Sequence, residues 1–149
     1  MIHVGVVSDT HGLLRPQVID AFNGVDLILH AGDIGDPQVL ESLTTIAPVF
    51  AVRGNNDRED WAKDIPETRI VPIGDIRAYM IHDVKEMDRS PSRCQAVVAG
   101  HSHRPLIEKR EGILFLNPGS AGPRRFKLPI CVARLTVRGT AITAKLIEL

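Results

Sequence analysis

The sequence predicts an α/β fold: two packed mixed β-sheets flanked by helices, a four-layer sandwich with a βαβαβ start and an antiparallel-rich C-terminal half. Three observations point there. Apolar, β-rich runs alternate with helix-patterned segments over residues 2–54, which implies parallel strands covered by helices. From residue 68 onward the pattern changes to short strands with almost no helix between them. A chain of 149 residues also buries about 70% of the surface its unfolded form exposes, enough for one core, so residues 1–149 are read as a single domain.

"IHVGVV" (2–7) is a β-rich first strand, and "RPQVIDAFNG" (15–24) is a helix with proline in its first turn and glycine at its end. "VDLILH" (25–30) is the second strand, "DPQVLESLTTIA" (36–47) the second helix and "PVFAVRG" (48–54) the third strand. Then come "TRIVPI", "IRAYMIH", "AVVAG", "PLIEKR", "ILFLN", "CVARLTV" and "AITAKLIEL", the last two joined by a turn around Arg138-Gly139. "VKEMDRSP" offers a brief helix among them.

The polar residues sit where these strands stop. "SDTHG" follows the first strand with Asp9 and His11, "AGDIGD" the second with Asp33, and "RGNND" the third with Asn55, Asn56 and Asp57. "IRAYMIHD" ends in His82, and "AVVAG" leads into His101 and His103. Ligands of open α/β sheets gather at the carboxyl ends of strands. Taken singly, each residue has an ordinary structural role open to it. Helix capping, however, is already accounted for by Asp36-Pro37 and leaves Asp33 unexplained. The His101/His103 pair, spaced i, i+2, would point both imidazoles to one side of an extended backbone. His3 is read as a strand residue, and His30 as at most a support near Asp33. Asp57 and Asp83 are open between a supporting role and a turn.

Asp9, His11, Asp33, Asn55, His82, His101 and His103 thus supply seven nitrogen and oxygen donors. Such a set without thiolates suits Mn²⁺ first, with Fe, Zn²⁺, Ni²⁺ and Co²⁺ as alternatives. Seven donors exceed the needs of one four-coordinate ion, so two divalent ions sharing a carboxylate is the economical account. His101 and His103 would then face different ions.

The ordered set Asp9-x-His11, Gly32-Asp33, Gly54-Asn55-x-Asp57, His82 and Gly100-His101-x-His103 resembles the calcineurin-like metallophosphoesterases, and most closely their small single-domain phosphodiesterase branch. "NPGSAGPRR" (117–125) is similar to a stretch typical of that branch. The resemblance implies a two-sheet sandwich with its site at the strand ends. It places Asp9, His11, Asp33 and His103 on a first ion, and Asn55, His82 and His101 on a second, with Asp33 bridging. Two positions depart from the family pattern. Asn56 stands where phosphatase relatives often carry a histidine that protonates the leaving group, so that acid is unassigned. Asp83 replaces a glycine of the usual HGH and removes its second histidine. The stretch from His82 to His101 is short for the family, which would trim a helix beside the site.

The resemblance further implies hydrolysis of a phosphodiester by a hydroxide bridging the two ions. Two divalent ions, the carboxylates of Asp9 and Asp33 and one hydroxide leave one net positive charge, which suits a singly charged diester, possible nucleotides included. Asn55 and Arg104 are candidate substrate contacts. The alternative is a non-catalytic interaction scaffold of the same fold, as in a retromer subunit. Eighteen basic and 18 acidic residues balance to zero, so no general nucleic-acid binding is expected. Two cysteines, Cys94 and Cys131, give no disulfide framework. No apolar run reaches membrane-spanning length and "MIHVGVVSD" lacks a basic leader. A cytoplasmic protein is therefore expected, and a homo-oligomer is left open.

Overall fold

A computed structural model describes residues 1–87, 91 and 93–149. Among the described residues, ten strands and two α-helices follow in the predicted order: β1 (Ile2–Val7), α1 (Pro16–Ala21), β2 (Leu27–His30), α2 (Pro37–Thr44), β3 (Val49–Ala51), β4 (Thr68–Ile73), β5 (Ile76–Ile81), β6 (Ala96–Val98), β7 (Leu106–Arg110), β8 (Ile113–Asn117), β9 (Cys131–Arg138) and β10 (Ala141–Glu148). One five-stranded sheet has the order β10-β9-β1-β2-β3 and the other β4-β5-β6-β8-β7. Strands β1, β2 and β3 pair in parallel, while β9 and β10 add antiparallel neighbours. In the second sheet β5, β6 and β8 are parallel. There the antiparallel character lies at the edges, in β4–β5 and β7–β8. The predicted hairpin is present, with Arg138 opposite Ala141 and Gly139 at φ +60°.

Alternation decides which face is buried where. Val4 and Val6 of β1, Leu135 and Val137 of β9, Ala78 and Met80 of β5, and Leu114 and Leu116 of β8 all pack between the sheets. Val7, Ile28 and Val132 face the other way, onto Val18 and Phe22 at α1 and onto Val39 and Leu43 of α2. The helices are shorter than the sequence pattern suggests. Helix α2 begins where expected, with the Asp36 carboxylate accepting from the Gln38 N–H at 2.8 Å. Helix α1 has proline at its start, and the Arg134 guanidinium from β9 donates to the Ala21 and Asn23 carbonyls at its far end. This places a cation at the negative end of the helix.

Between β5 and β6 the described residues form a 3₁₀ turn at Val84–Glu86, capped by Asp83. The rest of the predicted "VKEMDRSP" helix includes residues 88–90, outside the described residues. A second 3₁₀ turn at Asp60–Ala62, unmarked in the sequence reading, follows β3.

The architecture has one consequence for function. All six parallel strands, β1, β2 and β3 of one sheet and β5, β6 and β8 of the other, end near the same rim and hand over Asp9, Asp33, Asn55, His82, His101 and Asn117 there.

Candidate metal centre

The loops after β1 and β2 continue the strand pairing beyond the sheet. Asp9 N–H donates to the Gly32 carbonyl (2.9 Å), His11 N–H to Asp33 (2.9 Å) and Gly12 N–H to Ile34 (2.7 Å). The two leading carboxylates are thereby fixed to each other through backbone. Asp9 is fully buried, and Asp33, His82 and His103 are buried beside it, while His11 is half-buried and His101 exposed.

Two groups of donors emerge. The ligand atoms of Asp9, His11 and His103 lie within 4.8 Å of one another, and so do those of Asp33, His82 and His101. The groups touch: His11 Nε2 is 3.8 Å from a carboxylate oxygen of both Asp9 and Asp33, and His82 Nε2 is 3.8 Å and 3.3 Å from the same two oxygens. Six of the seven predicted donors therefore converge. Asn55 lines the same cavity of about 660 Å³ as His82 and His101. Arg104 does not line that cavity; it lines a neighbouring one, to which His101 also belongs.

Three atoms at this rim test whether a cation fits. Asp9 Oδ1, His82 Nε2 and His103 Nδ1 are buried without a hydrogen-bond partner among the described residues, although buried polar atoms are almost always paired. His82 Nδ1 meanwhile donates to the Ala31 carbonyl at 2.7 Å, which turns Nε2 toward the carboxylates. An imidazole oriented by a backbone carbonyl on one nitrogen and presenting the other is a recurrent metal-ligand arrangement. The donor set fits a hard-to-borderline divalent ion, and the buried Cys94 and Cys131 take no part in either group.

Electrostatics say the same. Burial pushes the Asp33 carboxyl up, but the approach of His82, the Asn56 N–H and the charges of His82 and His11 outweigh it and hold the group at about 2. Asp9 is likewise held below the usual carboxylate range: burial raises it, and His103, His82 and Ser8 bring it down. Burial lowers His82, yet its contact with Asp33 and the charges of both aspartates raise it to about 9. A proton on His82 thus does in the metal-free protein what a cation would do. Because that value lies above the usual 6.5, charged His82 stabilises the metal-free fold fully below pH 6.5. The contribution fades as pH rises to 9. Metal uptake must expel this proton, so affinity for the ion that His82 would hold is expected to rise across the same window, with release of about one proton from His82 per chain. Calorimetry in buffers of different ionisation enthalpy reads this directly; pH-independent affinity would contradict it.

The backbone at the site is unusual. Asp9, His11, Asp33, His101 and His103 all adopt positive φ, between 48° and 71°. These five are most of the eight non-glycine residues in that region among the described residues, and such strain gathers at functional sites. This corrects the geometric reason given for the His101/His103 pair. Strand β6 stops at Val98, and the two histidines stand in a left-handed loop that sends one to each donor group.

Residues that the sequence reading missed build the supports. Ser8 Oγ (2.6 Å) and the His101 N–H (3.0 Å) both donate to Asp9 Oδ2, and Ser120 Oγ donates to the Asp9 carbonyl at 3.0 Å. Asn117 Nδ2 donates to the Gly100 carbonyl (3.0 Å) and the Ser102 hydroxyl (3.1 Å). "NPGS" therefore pins the histidine loop and the first aspartate together, and the resemblance carried by residues 117–125 was the available signal. Gly100 leaves room for this: a Cβ there would strike Ser8 Oγ and stand 2.7 Å from Asp9 Oδ2.

His30 does support the neighbouring loops, as expected. Gly32 N–H donates to its Nδ1 at 3.1 Å, so Nε2 carries the proton and donates to Thr10 Oγ1, which in turn donates to the Ile34 carbonyl. Burial lowers its pKa to about 4 and keeps it neutral. Asp57 is no ligand either: its carboxylate accepts from the N–H groups of Ile34, Gly35 and Gly54 at 3.0 Å each. Asp83 Oδ2 stands 3.6 Å from His101 Nε2 at the outer edge of the second group.

A two-sheet sandwich that concentrates carboxylates and imidazoles at the ends of its parallel strands defines a metal-binding α/β class. Residues 2–140 match the family model of the calcineurin-like phosphoesterase superfamily domain, and the chain belongs to that superfamily. A probable metallophosphoesterase from Methanothermobacter thermautotrophicus is 35% identical, covering 97% of this chain and 91% of the relative. A solved archaeal phosphodiesterase is 25% identical with a TM-score of 0.81, covering 98% of this chain and all of the other. Vps29 from Chaetomium thermophilum shares the fold at TM-score 0.84 and 19% identity, over 99% of this chain and 87% of its own.

Proposed function

We propose that this chain is a binuclear metal-dependent phosphodiesterase, with Asp9, His11 and His103 on one divalent ion, Asn55, His82 and His101 on the other, and Asp33 between them. The observation that supports this most is the contact of two carboxylate–imidazole groups in which Asp9 Oδ1, His82 Nε2 and His103 Nδ1 are buried with no hydrogen-bond partner among the described residues. Bound there, the ions supply charge neutralisation for phosphoryl oxygens and a water of lowered pKa; Mn²⁺ is the first candidate.

The chain's own residues set the rest. Asp9 and Asp33 together bring two negative charges, which two divalent ions overcompensate, favouring an anionic phosphate. Asn56 gives its N–H (2.9 Å) and its side-chain amide (3.2 Å) to the two oxygens of Asp33. It therefore orients the bridging carboxylate and has no acidic proton for a leaving group. Esters whose leaving group departs without protonation should be the better substrates. The exposed His101 edge is where a substrate can approach, and Asn55 beside it is a candidate contact.

Stripped with a chelator and reloaded with Mn²⁺, the protein should bind two ions per chain and cleave bis(p-nitrophenyl) phosphate at least about a hundredfold faster than the stripped form. Full metal loading without turnover would favour the non-catalytic interaction scaffold. Retention of all seven donors speaks for the catalytic reading.

A further inference from the structure

A second cavity, of about 700 Å³, adjoins the metal centre and shares His101 and Asp83 with its lining. Its walls combine two features. Val97, Ala99, Leu106 and Phe115 supply apolar surface on the outer side of the second sheet. Over Phe115 lies the Arg110 guanidinium, 4.8 Å from the ring centroid and fixed by Glu108 at 2.7 Å. A guanidinium held over an aromatic ring by a carboxylate offers a stacking surface for a planar ring.

The second feature is charge. Lys85, Arg104 and Arg125 also line the cavity, and among the described residues none of them has a carboxylate within ion-pair distance. Asp83 is the acid in that lining, and it is turned to His101. Arg110 is neutralised by Glu108, so among the described residues a net positive charge is left facing an apolar slot. A neutral aryl group would use the slot and ignore the cations; a free phosphate would do the reverse.

We propose that this cavity binds one arm of the diester substrate, a nucleoside bearing a second phosphate, with the base in the slot and the phosphate against Lys85, Arg104 and Arg125. This rests on the phosphodiesterase reading for the bond that is cleaved, and adds which diesters are preferred. His101 at the shared boundary sets the scissile phosphate at the metal centre while the arm extends over the second sheet.

Three diesters with one leaving group test it: methyl p-nitrophenyl phosphate, the p-nitrophenyl ester of thymidine 5′-phosphate, and the same ester carrying a 3′-phosphate. In each, water adds to phosphorus and p-nitrophenol departs. The kcat/KM of Mn²⁺-loaded protein should rise along this series, by about tenfold or more from first to last. Arg125→Glu should collapse the gain from the 3′-phosphate, and Leu106→Glu the gain from the nucleoside; both residues are exposed, so the fold tolerates them. Equal kcat/KM values across the series, or ratios unmoved in both variants, would overturn the proposal. If no ester is cleaved, the catalytic reading fails and calorimetry decides the cavity separately. Thymidine 3′,5′-bisphosphate binding to metal-free protein, weakened about tenfold by Arg125→Glu, upholds it, and no binding refutes it.

Discussion

Asp33→Asn should lower kcat for bis(p-nitrophenyl) phosphate by about a thousandfold or more and reduce metal content at both positions. The change is nearly isosteric, so its effect is electronic. In the native protein one Asp33 oxygen accepts the Asn56 N–H and the other the Asn56 amide, while His82 and His11 approach the second. An asparagine has one acceptor and one donor. Turned one way its NH₂ meets the Asn56 backbone N–H, turned the other the Asn56 side-chain amide must flip to accept from it, and in both cases the site loses one of its two central negative charges. A readout independent of activity accompanies this. Asp33 is a principal reason that His82 titrates near 9, so the His82 resonance of the metal-free variant should titrate at lower pH. A variant that kept its rate, both ions and the His82 titration would remove Asp33 from the bridging position.

Gly54→Ala should unfold or misassemble the same region from the other side. A Cβ at Gly54 would run into the Asp33 carboxylate and, more seriously, into the Asp33 backbone nitrogen. The backbone there cannot retreat, because the Ile34, Gly35 and Gly54 N–H groups are all held by Asp57. Overpacking against fixed backbone costs at least about 3 kcal/mol, the upper end of the usual range. Thermal melts of the metal-free variant should show the loss, and metal titrations should show weakened binding at both donor groups. Gly112→Ala is the control: a Cβ there meets nothing within 4 Å, and although its φ of +82° imposes some strain, metal binding should survive. Equal metal affinity in the Gly54 variant and the native protein would refute the close approach.

The fold was legible because hydrophobic periodicity is local: β1 through β3 alternate with helices in a pattern that has few other solutions. Lengths were less legible. Helix α1 ends at Ala21 and α2 at Thr44, where packing on the first sheet sets the limits, as at Phe22 and Leu43. The parallel centre of the second sheet was not visible either, since pairing partners such as Val97 and Phe115 are set by long-range register.

By itself, the chain's sequence determined the candidate donors, Asp9, His11, Asp33, Asn55, His82, His101 and His103, and that these residues follow strands. Donor type and strand pattern are properties of short segments. Tertiary structure decided everything that depends on distant segments meeting. It sorted six of the donors into two groups, turned five of them into left-handed backbone, and made Ser8, His30, Asp57, Asn117 and Ser120 their supports. The contact between the His101 N–H and Asp9 joins residues from different sheets. No local pattern encodes such a contact; it exists because two packed sheets bring the ends of their parallel strands to one rim.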